Sequence, residues 1–277
     1  MAQANRQLRN WRPGRQGAGN WALLAFTVGL GILAWYLLVE ISQLPAFIMP
    51  GPGQVWDRLL RSLADGTLAR HAWVTIQEVL GGLALGAGAA SLLGYLLAKS
   101  PRLERFLAPY VVASQSVPIV AIAPLLVIWF GPGLLSKVLI CALIVFFPVL
   151  INTIVGLRSV PEDLHDLMRS LRATRWQTLR LLEFPAALPV LLGGLRIGAT
   201  LSVIGAVVGE FVGADRGLGF LINVGRGEYD TALVFVAVFT LIALALALYG
   251  LVLLLEARWL AWQRPVDSNQ VDKIVKD

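Results

Sequence analysis

The hydrophobic residues of this chain fall into six long stretches that are separated by shorter polar segments. The pattern predicts helices over 21–39, 73–98, 106–130, 134–157, 189–212 and 231–256. A helix needs roughly 20 apolar residues to cross a hydrocarbon layer of about 30 Å, and each stretch is long enough. We therefore predict an all-α integral membrane protein with about six transmembrane helices.

Two of the six stretches need a closer look. The third, 106–130, contains Pro109, Pro118 and Pro124. Because neighbouring groups in a transmembrane bundle can satisfy the carbonyls that prolines leave free, we predict one kinked helix there. The first, 21–39, is too long for a secretory signal and no small-residue cleavage site follows it, so we predict a retained anchor.

Composition agrees with a membrane location and gives little support for a metal, cofactor or nucleophile site. Hydrophobic residues make up 57% of the chain and charged residues 14%, and the mean hydropathy is +0.72, whereas a soluble domain is about a quarter charged. The single cysteine, Cys141, lies in an apolar run and is interpreted as a buried thiol. His71 and His165 are far apart, so a metal or nucleophile site is poorly supported, and we expect no metal or cofactor in this chain.

Basic residues are unevenly divided between the two sides of the predicted topology. Sixteen lysines and arginines lie in 1–20, 99–105, 158–188 and 257–277, and six lie in the segments on the other side. Since cytoplasmic segments carry the excess of basic residues, both termini are predicted in the cytoplasm, with 21–256 as the transmembrane domain between the N-terminal segment 1–20 and the tail 257–277. This division accounts for the net charge of +6, and we expect no nucleic acid partner.

Small residues recur every fourth position in the second and fifth stretches. Such ladders let helix backbones approach closely where the hydrophobic effect no longer drives association. We predict that these two helices lie at the centre of the bundle. The ladder residues are Gly82, Gly86, Ala90 and Gly94 in the second stretch, and Gly194, Gly198, Gly205 and Gly209 in the fifth. Between the first two stretches, an amphipathic pattern of Val55, Leu59, Leu60 and Leu63 predicts a short helix on the outer surface.

The 158–188 segment is too long for a simple connection and shows a regular pattern. Ser159 and Glu162 match a capping box, and so do Thr174 and Gln177, which predicts two short helices joined by a sharp turn. The first helix carries an apolar stripe on one face. That stripe either packs on the protein's own cytoplasmic end, or lies in the headgroup layer, or docks into a groove on a partner. Its residues are Leu164, Leu167, Met168 and Leu171.

This segment resembles the EAA loop of ATP-binding-cassette (ABC) importer permeases. The motif falls on Asp166-Leu167-Met168, with Arg172 in place of the turn glycine, and ends at Leu182-Glu183-Phe184-Pro185. The segments 114–133, 146–157 and 204–222 are similar to the sulfonate, taurine and nitrate branch of these permeases, which includes relatives for riboflavin and thiamine precursors. The resemblance covers roughly residues 40–260.

The resemblance implies the type I ABC importer permease fold in a bacterial cytoplasmic (inner) membrane. It implies ABC ATPase subunits that bind ATP, an extracytoplasmic solute-binding protein, and a second permease chain, expected as a homodimer. No GxxxxGK[ST] occurs here, so ATP hydrolysis is expected on the partner and this chain is not expected to be an enzyme. The residues expected to couple the loop to the ATPase are Leu164, Asp166, Leu167, Met168, Arg169, Leu171, Arg172, Ala173, Thr174 and Arg175.

Polar residues inside the apolar stretches are candidates for a translocation pathway or gate, because ionisable groups at bilayer depth are costly. Glu78 could instead reach the outer interface, Arg196 could snorkel to the cytoplasm, and Glu210 could pair with an arginine of the following loop, Arg216 or Arg226. For Asn152 and Thr153 we expect either contact with a solute or hydrogen bonds that bridge helices. The pathway or gate residues that we predict are Gln115, Ser116, Pro118, Arg196 and Glu210.

An ion-coupled secondary transporter is the alternative function. Such proteins usually show internal repeats and ionisable relays at the midplane, and neither is evident here. An intramembrane serine protease would need a GxSG-like nucleophile and a membrane histidine, and both are missing. The solute stays open among sulfonates or taurine, nitrate, riboflavin, thiamine precursors and others.

Overall fold

A computed structural model describes residues 18–260, and every regular element in that range is helical. The predicted N-terminal segment 1–20 and the tail 257–277 therefore lie almost entirely outside the described residues. A short π-helical turn, Leu179–Glu183, joins the helix Arg175–Thr178 to the helix Phe184–Gly213. The helices are α1 Ala18–Ser42, α2 Pro52–Ala64, α3 Thr67–Lys99, α4 Pro101–Gln115, α5 Ile119–Phe130, α6 Leu134–Arg158, α7 Glu162–Ser170, α8 Arg175–Thr178, α9 Phe184–Gly213, α10 Leu218–Gly227 and α11 Thr231–Trp259.

Five helices of the described chain are long and apolar enough to cross a membrane by themselves. They coincide with the first, second, fourth, fifth and sixth predicted stretches, which confirms those predictions. The fifth is longer than expected, because α8, the π-helical turn and α9 form one run, Arg175–Gly213, of 39 residues.

The third stretch differs from the prediction of one kinked helix over 106–130. Two helices, α4 and α5, meet there at an angle of 92°. Pro118 causes the break: it has no N–H to continue the helix and it disfavours helical geometry at Val117 before it. Pro109 and Pro124 lie inside α4 and α5 and do not interrupt them.

Helices α3 and α6 lie side by side and run in the same direction. A Cβ atom placed on Gly82 would lie 2.1 Å from Cys141 Cβ, and one placed on Gly94 would lie 2.7 Å from Thr153 Cβ. The N-terminal ends of α3 and α6 therefore lie side by side, and so do their C-terminal ends. Because the chain leaves α3 at Lys99 and must return before α6 starts, the broken pair α4–α5 carries it back across the bundle. The described chain thus makes six crossings.

Helix α9 packs against the other side of α6 and runs antiparallel to it. A Cβ on Gly194 would lie 2.6 Å from Asn152 Cβ, and a Cβ on Gly205 would lie 2.8 Å from Cys141 Cα. Both glycine ladders therefore face α6, which confirms the predicted close approach of the backbones. Cys141 lies where the two ladders meet and is fully buried, as predicted.

The remaining helices surround this three-helix centre. Trp35 of α1 stacks on Phe235 of α11 with ring centroids 5.4 Å apart. Helix α2 confirms the predicted short amphipathic helix, and its Arg58 forms an ion pair of 2.7 Å with Asp230 at the start of α11. Below, the end of the bundle near Lys99, Arg158 and Phe184 is called the loop end, and the end near His71, Leu134 and Gly213 the opposite end.

Candidate functional site

The loop at the loop end consists of α7, a sharp turn and α8. Arg172 lies in the turn with φ of 52°, in the left-handed region that glycine adopts most easily. Two backbone bonds close the turn: Arg172 N donates to Arg169 O at 2.9 Å, and Ala173 N donates to Met168 O at 3.0 Å. This is the usual hydrogen-bond pattern of a helix C-terminus that ends in a left-handed residue. Arginine therefore adopts the geometry that the turn requires.

One of the two predicted capping boxes is present. Thr174 N donates to Gln177 Oε1 at 2.8 Å and Gln177 N donates to Thr174 Oγ1 at 3.3 Å, so α8 begins as predicted. The box predicted at Ser159 and Glu162 is wrong. Ser159 caps the C-terminus of α6 instead, with its hydroxyl donating to Gly156 O at 2.8 Å, and the residue before α7 is Pro161, whose side chain cannot cap.

The apolar stripe of α7 is not covered by the described chain. Leu164, Leu167 and Leu171 are 40%, 53% and 68% exposed, and Met168 is half-buried. Trp176 on α8 is also exposed. Asp166 and Arg169 lie on the same short helix and form an ion pair of 2.8 Å. The structure thus brings the predicted coupling residues Leu164 to Arg175 into one small projecting unit whose apolar face is open.

Buried charge fixes this loop to the bundle. Glu183, in the π-helical turn, is 2% exposed, and its Oε1 accepts a hydrogen bond from Lys99 Nζ at the end of α3. His165 Nδ1 of α7 lies 3.7 Å from the same oxygen. Arg158 also pairs with Glu104 through two bonds of 2.8 and 2.5 Å. Glu183 was recognised in the sequence only as part of the loop motif; nothing in the local pattern indicated its long-range pairing with Lys99.

Glu210 lies in a polar network at the opposite end. Its Oε1 accepts a bond of 2.6 Å from Thr75 Oγ1, and its Oε2 accepts one from Gly219 N. Leu218 N donates to Thr75 Oγ1 at 2.9 Å, and Gly217 N donates to His71 Nδ1 at 3.0 Å. The suggested pairing with Arg216 or Arg226 is not what the structure shows, since backbone and hydroxyl donors satisfy the carboxylate.

Glu78 is 2% exposed, so it faces the protein interior and not the outer interface. Its Oε2 is buried and has no hydrogen-bond partner in the described chain. Lys137, on α6, is equally buried and donates to the carbonyl of Pro132. In the predicted topology Lys137 was counted with the basic residues of the outer side, although it lies inside the fourth stretch, 134–157, and its burial was not predicted.

Arg196 forms an ion pair with Glu256 of α11 and lies over the ring of Tyr249, 5.6 Å from its centroid. It therefore joins α9 to α11 near the loop end. Asn152 and Thr153 donate to carbonyls of their own helix, those of Pro148 and Val149.

Gln115, Ser116 and Pro118 all lie at the break between α4 and α5 and are exposed. Ser116 Oγ donates to Val112 O at 3.3 Å. The expectation that Pro118 frees a carbonyl within one continuous helix is wrong, because the helix ends before it. The break itself leaves an irregular backbone segment in the middle of a crossing, which is tolerated only where the segment is buried by protein or lines a water-filled space.

Among the described residues, no group of three His, Cys, Asp or Glu side chains could hold a metal ion.

The chain is similar to several transport permeases of known assignment. It is 48% identical to the riboflavin transport system permease RibX of Chloroflexus aurantiacus, over 88% of this chain and 91% of the relative. It is 36% identical to the formylaminopyrimidine transport permease ThiX of Halalkalibacterium halodurans, over 84% and 92%. The taurine transport system permease TauC of Escherichia coli is 32% identical, over 80% and 85%.

The fold and a family model agree with these relatives. A chain of the MetNI methionine ABC transporter, solved in an inward-facing conformation, matches with a TM-score of 0.60 at 19% identity, over 70% of this chain and 96% of that one. The fold is therefore that of a type I ABC importer permease, as predicted. Residues 86–261 match the model of the binding-protein-dependent transport system inner membrane component. The chain belongs to this family, the permease subunits of ABC importers.

Proposed function

We propose that the chain forms the translocation pathway of an ATP-driven importer and is driven by a separate ATPase that docks on α7. The observation that supports this most directly is the open stripe of Leu164, Leu167 and Leu171 on a helix that is fixed to the bundle. An apolar face held in water is unfavourable, because each large side chain left uncovered forgoes about 1.5–3 kcal/mol of burial. A groove on a partner would supply that cover.

The continuous run Arg175–Gly213 supports a mechanical role for the loop. At about 1.5 Å per residue it is about 58 Å long, so one rigid rod joins α8 to Glu210 at the opposite end. Movement of the docked loop is passed along this rod. Two copies of the permease rock against each other and expose the pathway to alternate sides.

The proposed orientation places both termini and the loop end in the cytoplasm of a bacterium, with the chain in the inner membrane. The basic residues Lys99, Arg158, Arg169 and Arg175 all gather at the loop end, in keeping with the excess of positive charge on cytoplasmic segments. The opposite end, with α2 and α10, then faces a solute-binding protein that delivers the solute.

Within the pathway, we assign Gln115, Ser116 and Pro118 to the wall and Glu210 to the gate at the opposite end. The helix break at Pro118 supports the first assignment, because irregular backbone at membrane depth calls for a neighbouring polar space. The hydrogen bonds that Glu210 accepts from Thr75 of α3 and from Gly219 in the first turn of α10 support the second. Arg196 lies on the wall near the loop end, held by Glu256.

Riboflavin is the first solute to test. Identity to the riboflavin permease is 48%, against 36% and 32% for the formylaminopyrimidine and taurine permeases. Uptake of labelled riboflavin, taurine and a formylaminopyrimidine, measured in proteoliposomes with the cognate ATPase and binding protein, tests this assignment. Uptake of taurine alone would contradict it.

The docking proposal is tested by Leu167→Asp in the assembled transporter. We expect stimulation of ATPase activity by loaded binding protein to fall about tenfold or more, because a charge replaces a docked apolar side chain. The matched control is Ser170→Asp, which adds the same charge to the polar side of α7. Undiminished stimulation and uptake in Leu167→Asp would overturn the proposal.

A further inference from the structure

A polar cavity of about 620 Å³ lies between the end of α3 and the loop. Lys99 and Tyr95 of α3 form one wall, and Arg169 and Arg175 of the loop form another. Glu183 also lines the cavity. The three basic side chains outnumber the one carboxylate, so the cavity favours an anion.

Glu183 gives the cavity a second, more specific feature. Its carboxylate is 2% exposed, and only Oε1 is occupied, by Lys99. Oε2 is buried and has no partner in the described chain. A buried carboxylate oxygen without a donor is costly, so a ligand that fills this cavity should bring a donor as well as a negative charge.

Arg169 and Arg175 have N–H groups that are available to a ligand. Arg169 uses Nη1 for the exposed carboxylate of Asp166, and a guanidinium carries five N–H groups in all. Such a fork matches the oxygens of a phosphate better than an ammonium does. The cavity therefore combines a phosphate-binding side with a lining carboxylate, that of Glu183, whose Oε2 lacks a donor in the described chain.

The position of the cavity points to a lipid as the source of that phosphate. Leu96 lines the cavity and is 45% exposed, and Leu92 one turn earlier on α3 is 65% exposed. Beside Glu183, Leu181 and Phe184 are 67% and 50% exposed. Apolar surface on membrane-crossing helices thus runs up to the cavity, at the level where a span ends and lipid phosphates lie.

We propose that this cavity binds a glycerophosphate headgroup of an anionic phospholipid such as phosphatidylglycerol. Arg169 and Arg175 hold the phosphate, a headgroup hydroxyl donates to Glu183 Oε2, and the acyl chains follow Leu96 and Leu92. Basic pockets between helices at the cytoplasmic face are known to take anionic headgroups. Because α3 supplies one wall and the loop the other, the bound lipid fastens the loop to the bundle. Only the choice of leaflet depends on the orientation proposed above.

The test is native mass spectrometry of the purified full-length chain, titrated with phosphatidylglycerol, phosphatidylcholine or sn-glycerol 3-phosphate. We expect phosphatidylglycerol to bind about tenfold more tightly than phosphatidylcholine, because the quaternary ammonium of phosphatidylcholine offsets the phosphate charge that the arginines attract and supplies no hydroxyl donor. The double variant Arg169→Gln/Arg175→Gln should lose this preference. The control Arg180→Gln, an exposed arginine of the same segment outside the cavity, should keep it.

Several outcomes would overturn the lipid assignment. One is equal binding of both lipids, and another is an unchanged preference in the double variant. Binding of sn-glycerol 3-phosphate as tight as that of the lipid would assign the site to a soluble anion. If the double variant kept its lipid but lost the ATPase, the cavity would hold an acidic group of that partner. Leu167→Asp separates the two proposals, because it should impair ATPase stimulation and leave lipid binding intact.

Discussion

Thr75 and Glu210 are joined by a hydrogen bond of 2.6 Å between side chains 135 positions apart. Thr75 is fully buried on α3 and Glu210 is 1% exposed near the end of α9. The hydroxyl donates to the carboxylate and also accepts from Leu218 N. The small side chain of Thr75 therefore connects two central helices to the first residue of α10.

Replacing Thr75 with valine tests this connection. Valine keeps the shape but leaves Glu210 Oε1 and Leu218 N without a partner, so we expect a loss of roughly 1–3 kcal/mol in stability. Thermal unfolding in detergent measures it. The control is Thr240→Val, because Thr240 donates only to Val236 of its own helix. A loss of stability no larger in Thr75→Val than in Thr240→Val would show that the network contributes little to stability.

The glycine ladders predict opposite effects at two nearby positions of α3. A Cβ on Gly86 would lie 2.5 Å from Ala142 O, whereas a Cβ on Gly88 meets nothing within 4 Å. We expect Gly86→Ala to separate α3 from α6 and destabilise the protein by about 1–3 kcal/mol. Gly88→Ala should be neutral or stabilising, since alanine favours the helix. Yield of folded protein and thermal stability compare the two; equal behaviour would contradict the close packing.

The geometry of the turn between α7 and α8 predicts that glycine at position 172 makes the turn more stable than arginine does. A side chain in the left-handed region costs about 1–2 kcal/mol, which Arg172→Gly removes. We expect slower hydrogen exchange of the turn amides in this variant, and faster exchange in Arg172→Val, whose branched side chain suits the conformation least. Faster exchange in the glycine variant would show that the arginine side chain itself holds the turn.

Reversing the charges of Arg196 and Glu256 tests whether Arg196 acts only through this ion pair or also contacts the solute. Arg196→Glu alone places two carboxylates together and should lower thermal stability and uptake. The double variant Arg196→Glu/Glu256→Arg restores the ion pair between α9 and α11, and we expect it to recover most of the stability. Recovery of stability without uptake would assign Arg196 a direct role in the pathway; recovery of neither would exclude a simple charge pair.

Periodicity alone predicted the helical class, five of the crossings, the two loop helices and the central place of both glycine ladders. These features follow from local rules, because apolar length and small-residue spacing belong to single helices. The break at Pro118 was missed, since a proline can kink a helix or end it, and the neighbours decide which.

The polar networks were harder to predict because their members are far apart in the chain. Thr75 gave no signal at all, being one hydroxyl in an apolar run. Lys99 was counted only as a basic residue of the 99–105 segment and Glu183 was recognised only as part of the loop motif, and only folding brings them together. Glu210 was recognised as a buried charge, but its partners proved to be a hydroxyl and a backbone amide, which no count of opposite charges could identify.

The burial of Cys141 has a practical consequence for experiments. Its sulfur lies between backbones that approach too closely to admit a reagent, with Gly82 on one side and Gly205 on the other. We therefore expect thiol-reactive labels not to modify Cys141 in the folded protein. A cysteine introduced at an exposed position outside the docking stripe, such as Arg180 near the loop or Tyr229 at the opposite end, becomes a unique attachment point for a spin label or fluorophore. A variant with cysteines at both positions then reports the distance between the two ends of the bundle during turnover, without first removing the native thiol.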